Sequence, residues 1–268
     1  MRVEQRVEST VEAGESPPIL ICLLGSFRLL RTGQLLTIRP GGKREALLSR
    51  LALHARARIS REILIDALWP DSEYALAVQS LNTLVYSLGK MLSQAIGGEA
   101  PVLHPQGSYQ LNLEAGVNVD ILSFDQLARA GDEHSRSGEA EAAATDYERA
   151  IKLYAGDLYA ADDAATVVER ERLRALFHTV LARLADHHFK GSDYATALDH
   201  SLRILASDPT REDAYRMAMR CYVRRGERGQ ALRQYRLCER ILRAEFDAKP
   251  EPATVAVFER VRHDPASV

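Results

Sequence analysis

With 268 residues, 46% of them hydrophobic and 27% charged, the chain has the composition of a soluble globular protein of about two domains. This composition excludes a collagen-like or wholly disordered chain, and no apolar run approaches the roughly 20 residues that span a bilayer. Residues 1–18 alternate charges without an apolar signal, so we predict a disordered leader on a cytoplasmic protein.

The formal net charge of −2 hides a basic stretch in the first quarter of the chain. Between Arg28 and Arg61, nine arginines and lysines stand against a single acidic residue, Glu45, whereas the remainder of the chain is acidic in total. Such an excess of positive charge is typical of a surface that faces phosphate, although lysines and arginines also cover ordinary solvated faces. The choice between these two interpretations depends on the predicted secondary structure of the segments that contain the basic residues.

Up to residue 116, short β-like runs surround three helical segments. A β-rich run that breaks at Gly25 and a second run after Thr32-Gly33 predict a small sheet, and Ser60 is a candidate helix cap. The predicted elements are a β-rich segment at 19–30 that breaks at Gly25, a strand at 34–38, helices at 43–54, 60–69 and 76–96, and hairpin strands at 102–103 and 109–113. Strands, three helices and a closing hairpin indicate a winged helix-turn-helix domain over residues 19–116.

The third predicted helix, 76–96, is amphipathic. Its apolar positions share one face: Leu81, Leu84, Val85, Leu88 and Leu92. The opposite face carries side chains that form hydrogen bonds: Gln79, Asn82, Thr83, Tyr86 and Lys90. This outer face is either an ordinary solvated surface or one that reads the edges of bases.

Beyond residue 116 the helical periodicity is continuous and contains a repeat. Ala197 and Ala231 open similar segments and lie 34 positions apart, which is the period of tetratricopeptide helix pairs. A third similar segment begins at Ala143, and a long helix predicted at 166–190 accounts for its wider spacing. The sequence therefore predicts a mainly α protein with a small β component, in which a tetratricopeptide-like α-solenoid at 117–262 follows the winged helix and a tail follows at 263–268.

Short motifs recur in a fixed order over residues 20–262. In the first half they are LGSF (24–27), KREALL (43–48), SREIL (60–64), LWP (68–70) and GSYQL (107–111). In the second half they are ERERL (169–173), DPTREDAY (208–215), GQAL (229–232) and PEP (250–252). In this order they resemble the bacterial transcriptional activators of the Streptomyces antibiotic regulatory protein type. The resemblance implies a third helix in the major groove of DNA, a wing beside it, and a helical domain that supports dimerisation and contacts the transcription machinery.

Eleven residues are predicted to contact DNA. Side-chain amides can bond adenine in a paired manner and a threonine methyl can meet a thymine methyl, while basic side chains, a helix start and the wing tip would hold phosphate. The set comprises Gln79, Asn82, Thr83, Tyr86 and Lys90 on the third helix, Lys43, Arg44, Arg58 and Ser60 before it, and Gln106 and Ser108 in the wing. Ser87 and Gly89 stand where helices of the family carry arginines, so this helix should anchor phosphate weakly.

These features predict a DNA-binding transcription regulator, an activator by resemblance, with double-stranded DNA, RNA polymerase holoenzyme and a second copy of the chain as partners. The alternative is a protein-interaction adaptor whose winged helix no longer binds DNA by itself. No enzyme is indicated, because Thr37 replaces the first glycine of a phosphate loop before Lys43, and His178 and His187 lack zinc-ligand spacing. We expect no catalytic site, cofactor or metal.

Overall fold

A computed structural model of the protein describes residues 17–160 and 164–268, so nearly all of the predicted leader lies outside the described residues. The chain divides into two compact units. The head unit extends to Ser123 and takes in Ala155–Thr166, and the helical unit comprises Phe124–Tyr154 and Val167–Val268. The domain boundary at residue 116 stays a prediction. In the described part of the chain, no helix combines the length and the apolar character needed to cross a bilayer.

The strands of the head unit form two small sheets. The strands are β1 (Ile19–Cys22), β2 (Arg28–Arg31), β3 (Gln34–Leu35), β4 (Ile59–Ser60), β5 (Val102–Leu103), β6 (Ser108–Leu111) and β7 (Val117–Val119). The first sheet has the order β3-β2-β1-β7, with β1 antiparallel to β2 and parallel to β7. The second sheet has the order β4-β6-β5. The predicted closing hairpin is confirmed as β5 and β6.

The break predicted at Gly25 in the β-rich segment 19–30 is confirmed, because this segment folds into the β1–β2 hairpin. Gly25 lies in this turn with φ of 97°, and a side chain there would place its Cβ 3.0 Å from the backbone carbonyl carbon of Ala155. Only a glycine satisfies both conditions without strain. The strand predicted at 34–38 is shorter than expected, since pairing with β2 stops at Leu35.

A buried carboxylate fixes the end of β1. Asp120 is 1% exposed, and its oxygens accept hydrogen bonds from the N–H groups of Leu23 and Leu24 at 2.8–2.9 Å. It also accepts from the N–H of Ile121 at 2.8 Å. Because Leu23 and Leu24 are fully buried, this carboxylate satisfies two amides that water cannot reach.

The three helices of the head are α1 (Lys43–Leu53), α2 (Arg61–Leu68) and α3 (Tyr74–Leu92). Ser60 caps α2 as predicted, with its Oγ accepting the N–H of Ile63 at 3.4 Å. The predicted bounds of the third helix are wrong at both ends. Glu73 serves as its N-cap, so the helix begins two residues early, and a 3-10 turn at Ser93–Ile96 replaces its last turn before the left-handed Gly97.

The inner face of α3 is core, with one correction. Leu81, Leu88 and Leu92 are at most 1% exposed, as the periodicity predicts. Leu84 and Val85, predicted to lie with them, are only half-buried. Val85 instead borders an open cleft beside the hairpin, which leaves it in partial contact with solvent.

Seven helices follow in the described residues: α4 (Asp120–Arg136), α5 (Ala140–Leu153), α6 (Ala164–Lys190), α7 (Tyr194–Ser207), α8 (Glu212–Arg224), α9 (Arg228–Phe246) and α10 (Pro252–His263). Helices α7, α8 and α9 pack in succession, and α10 packs on α8 and α9. Ala143, Ala197 and Ala231 are buried at matching positions, so the tetratricopeptide-like prediction is confirmed. Helix α4 runs to Arg136, and the left-handed Gly138 lies between it and α5, which begins at Ala140.

Close packing between α4 and α5 depends on Gly131. This residue is buried inside α4, and a Cβ at its position would lie 2.6 Å from Cδ1 of Tyr147. The Tyr147 hydroxyl donates to Asp132 at 2.7 Å and accepts from Arg183 at 3.0 Å, so two bonds hold the hydroxyl end of the ring in place. The helices can approach this closely only without a side chain at position 131.

Candidate nucleic-acid interface

The outward face of α3 presents a row of polar side chains. Gln79, Asn82, Thr83, Tyr86 and Lys90 are all exposed, which confirms the predicted orientation; we call these residues the α3 row. Tyr86 exposes 64% of its surface, and the Lys90 ammonium lies 5.0 Å from the centroid of its ring. This cation–π contact keeps the phenol and the single positive charge of the row together.

Two members of the row are oriented by hydrogen bonds. The hydroxyl of Thr83 donates to the carbonyl oxygen of Gln79 at 2.9 Å, which leaves its methyl group free for an apolar contact. The Oδ1 atom of Asn82 accepts from the Tyr109 hydroxyl at 3.4 Å. Asn82 retains its two amide donors and one further lone pair, which is the set needed to bond adenine.

The α3 row borders the wing across a cleft of about 680 Å³. The wing is the hairpin of β5 and β6, whose tip is a 3-10 turn at Pro105–Gly107. Side chains from three elements line the cleft: Asn82, Tyr86 and Lys90 of α3, Arg61 of α2, and His104 and Tyr109 of the wing. The cleft therefore combines amide, aromatic, imidazole and guanidinium groups on one surface.

Arg61 and His104 are cleft residues that sequence reasoning missed as individual contacts. The pKa of Arg61 is raised above its ordinary value, chiefly by a hydrogen bond with the Tyr109 hydroxyl. Arg61 belongs to the basic stretch, but no periodicity links position 61 to position 109. Only the folded pairing of β4 with β6 brings α2 next to the wing.

The tip of the wing uses its two predicted contact residues differently. Gln106 is exposed in the left-handed conformation, with φ of 51°, and Gly107 follows with φ of 82°. The hydroxyl of Ser108 donates to the carbonyl oxygen of Pro105 at 2.9 Å. Ser108 thus closes the turn, whereas Gln106 projects into solvent.

The remaining predicted contacts make internal bonds. The ammonium of Lys43 donates to the carbonyl oxygen of Leu68, at the C-terminal end of α2. The Nε atoms of Arg44 and Arg58 donate to Ser87 Oγ and Gln110 Oε1, both at 3.3 Å. Both arginines are exposed, so their terminal nitrogens remain on the surface. Lys43 and Ser60, by contrast, already serve the two ends of α2. Contact of these residues with DNA stays a prediction.

A winged helix joined in one chain to tetratricopeptide-like helices is the architecture of a class of bacterial transcription regulators. The chain belongs to the bacterial transcriptional activator domain family, whose family model matches residues 119–262, and it is a regulator of the Streptomyces antibiotic regulatory protein type. It is 25% identical to regulatory protein AfsR of Streptomyces coelicolor over 98% of this chain. It is also 25% identical to regulatory protein DnrI of Streptomyces peucetius, over 78% of this chain and 79% of DnrI.

The chain spans 26% of the length of AfsR. Its fold is similar to that of EmbR from Mycobacterium tuberculosis, solved in complex with a low-affinity phosphopeptide. The TM-score is 0.75 and the identity 20%, over 92% of this chain and 65% of the EmbR chain. At this identity the likeness shows that the two chains share a fold.

Position 89 offers a direct test of phosphate anchoring by α3. Gly89 borders the cleft, and a Cβ there would meet no atom within 4 Å, so Gly89→Arg should be accommodated. One added phosphate contact should steepen the slope of log affinity against log salt by about 0.9. Gly89→Ala is the matched control, because it shares the gain in helix propensity without the charge. Equal slopes for the two variants in a salt titration would show that this turn of α3 does not approach phosphate.

Proposed function

We propose that this protein binds promoter DNA through the α3 row and the wing, and activates transcription by recruiting RNA polymerase holoenzyme through the helical unit. It acts as a cytoplasmic homodimer on repeated half-sites. Membership of the bacterial transcriptional activator domain family, and the names of the regulatory relatives, support the proposal.

The observation that carries the proposal is the chemistry of the α3 row. Amides, a threonine, a tyrosine and a lysine follow one another along the exposed face of a helix whose other face is core. Gln79 and Asn82 suit adenine, Thr83 suits a thymine methyl, and Lys90 suits phosphate. The cleft with the wing places further hydrogen-bonding groups beside this row.

The first experiment selects genomic DNA fragments with the purified full chain at about 0.1 M salt, where screening is near-physiological, and sequences them. A dimeric reader is expected to enrich a motif whose half-sites lie about one helical turn, or about 34 Å, apart. An adaptor with a degenerate winged helix would enrich no motif, and that outcome would remove the proposal.

Base reading is tested by Asn82→Ala and Gln79→Ala in the same selection. Each variant is expected to lose preference at one base pair, equivalent to about 1–3 kcal/mol of discrimination, because a paired amide contact is removed. Gln34→Ala, an exposed amide on β3, is the matched control and should leave the motif unchanged. Thermal unfolding shows whether loss of the bond between Asn82 and Tyr109 has disturbed the wing. A motif that survives both substitutions would contradict the assignment.

A further inference from the structure

A second basic surface lies on the helical unit. Between Arg211 and Arg243 the chain holds ten arginines against four acidic residues. The summed charge of all residues outside 28–61 is negative, because acidic residues elsewhere outnumber these arginines. That sum therefore does not reveal the local excess of positive charge. Five of the ten arginines belong to α9: Arg228, Arg233, Arg236, Arg240 and Arg243.

Four of these arginines share one face of α9. The helix buries Ala231, Tyr235, Cys238 and Leu242, which form its inner side. Arg233, Arg236, Arg240 and Arg243 are all exposed and follow one another at intervals of three, four and three positions. At 3.6 residues per turn these intervals place them in a single line, roughly opposite the buried side and about 15 Å long. We call this line the arginine stripe.

Within the part of the chain that the structure describes, the stripe forms no ion pair, unlike other arginines of the same unit. Ion pairs occupy Arg172 with Asp125, Arg225 with Glu227 and Arg262 with Glu259. In the stripe, Arg233 donates to Gln230 at 2.9 Å. The side chains of Arg236, Arg240 and Arg243 make no ion pair or hydrogen bond with any residue that the structure describes.

The positively charged guanidinium groups of the stripe repel one another. Like charges three or four positions apart destabilise a helix, and the stripe contains three such neighbouring pairs. A polyanion would relieve this repulsion, and guanidinium groups match phosphate geometry in a bidentate manner. The stripe length of about 15 Å corresponds to about four phosphate steps of one DNA strand, at about 3.4 Å per step.

We infer that the arginine stripe of α9 is a second DNA-binding surface, which contacts the phosphate backbone of double-stranded DNA without regard to sequence. It supplies phosphate anchoring that the α3 row, with Lys90 as its only cation, lacks. The inference rests on the proposed function in one respect, since it requires the full chain to bind DNA.

The test compares two triple variants of the full chain with the same change in charge. In the first, Arg236→Gln, Arg240→Gln and Arg243→Gln neutralise the stripe. In the control, Arg149→Gln, Arg225→Gln and Arg262→Gln neutralise exposed arginines of the same unit that are paired with acids. Affinity for a selected fragment and for an unrelated fragment is measured from 50 to 200 mM salt.

Loss of three phosphate contacts should make the salt slope of the stripe variant shallower by about 2.7 on both fragments. Over this salt range the affinity of the wild type would then fall about 40-fold more than that of the variant. The control should follow the wild type, and the ratio between the two fragments should not change. A shallower slope without any sequence preference would support the stripe and reject base reading by α3.

Two results would overturn the inference. If the stripe variant and the control share one salt slope, the stripe does not contact DNA, whatever the α3 row does. If that slope is shared and transcription in vitro is lost only in the stripe variant, an acidic protein is the partner instead. A wild-type chain that binds no DNA would reject both this inference and the proposed function.

Discussion

Asp120→Ala is expected to lower the free energy of unfolding by about 3–5 kcal/mol, because it leaves two fully buried amides without an acceptor. Among the described residues, the N–H groups of Leu23 and Leu24 bond only to this carboxylate, at the point where β1 ends. Urea unfolding of the full chain measures the loss. Asp66→Ala removes an exposed carboxylate from α2 of the same unit and should change stability by less than about 0.5 kcal/mol. A similar effect for both variants would contradict the role of Asp120.

The same carboxylate should make stability depend on pH. Burial raises the pKa of Asp120 from 3.8 to about 6, although the N–H groups that bond it and the charge of Arg28 act in the opposite direction. The folded state therefore holds the proton more tightly than the unfolded chain, and the contribution of this group to stability falls as pH rises from about 4 to about 6. The fall is up to about 3 kcal/mol.

Asp120→Asn isolates this effect, because asparagine does not titrate. The unfolding free energy of the wild type minus that of this variant should decrease as pH rises from about 4 to about 6. Urea unfolding at several pH values across this interval gives the difference directly. A value of this difference that stays constant or increases with pH would show that the pKa of Asp120 is not raised in the folded state.

Gly131→Ala is expected to destabilise the helical unit by about 1–3 kcal/mol through overpacking. The added methyl group would overlap the ring of Tyr147, which is 3% exposed and cannot withdraw without breaking its bonds to Asp132 and Arg183. This loss should exceed the gain of about 1 kcal/mol that alanine ordinarily brings to a helix interior. Thermal unfolding of the purified variant measures the net effect.

The control for Gly131 is Gly89, which lies in the interior of α3. Because nothing lies within 4 Å of its added Cβ, Gly89→Ala should stabilise the protein by up to about 1 kcal/mol. The two identical substitutions should therefore change the unfolding temperature in opposite directions. Stabilisation by both would mean that Tyr147 can move aside at little cost.

Local patterns predicted the elements of this fold well where periodicity or caps were strong. The helical positions of α1 to α3, the Ser60 cap and the closing hairpin follow from residue spacing alone. The pattern did not predict β7, because three residues, Val117–Val119, are too few to distinguish a strand from a loop. It also could not pair β7 with β1 or reveal the role of Asp120, since both depend on residues about 100 positions apart.

In the candidate interface, too, features of a single element could be predicted from the sequence, whereas contacts between elements could not. Helical spacing predicted that the α3 row is exposed, because only the orientation of one helix was needed. The bonds of Arg44 with Ser87 and of Arg61 with Tyr109 depend on how separate elements meet, which spacing within an element cannot show. The arginine stripe was missed in the sequence for a different reason. The charge was summed over many residues, and such a sum averages a basic helix face with its acidic neighbours.

The head unit is assembled from two stretches of chain with Phe124–Tyr154 between them. The second stretch, Ala155–Thr166, returns to the first through backbone contacts of Leu23 with Tyr159 and of Gly25 with Asp157. A recombination event at any single point between residues 123 and 167 would therefore divide one unit or the other. The two units are inherited as one piece, and exchange of an intact head between regulators of this architecture requires three crossovers, after residues 123, 154 and 166.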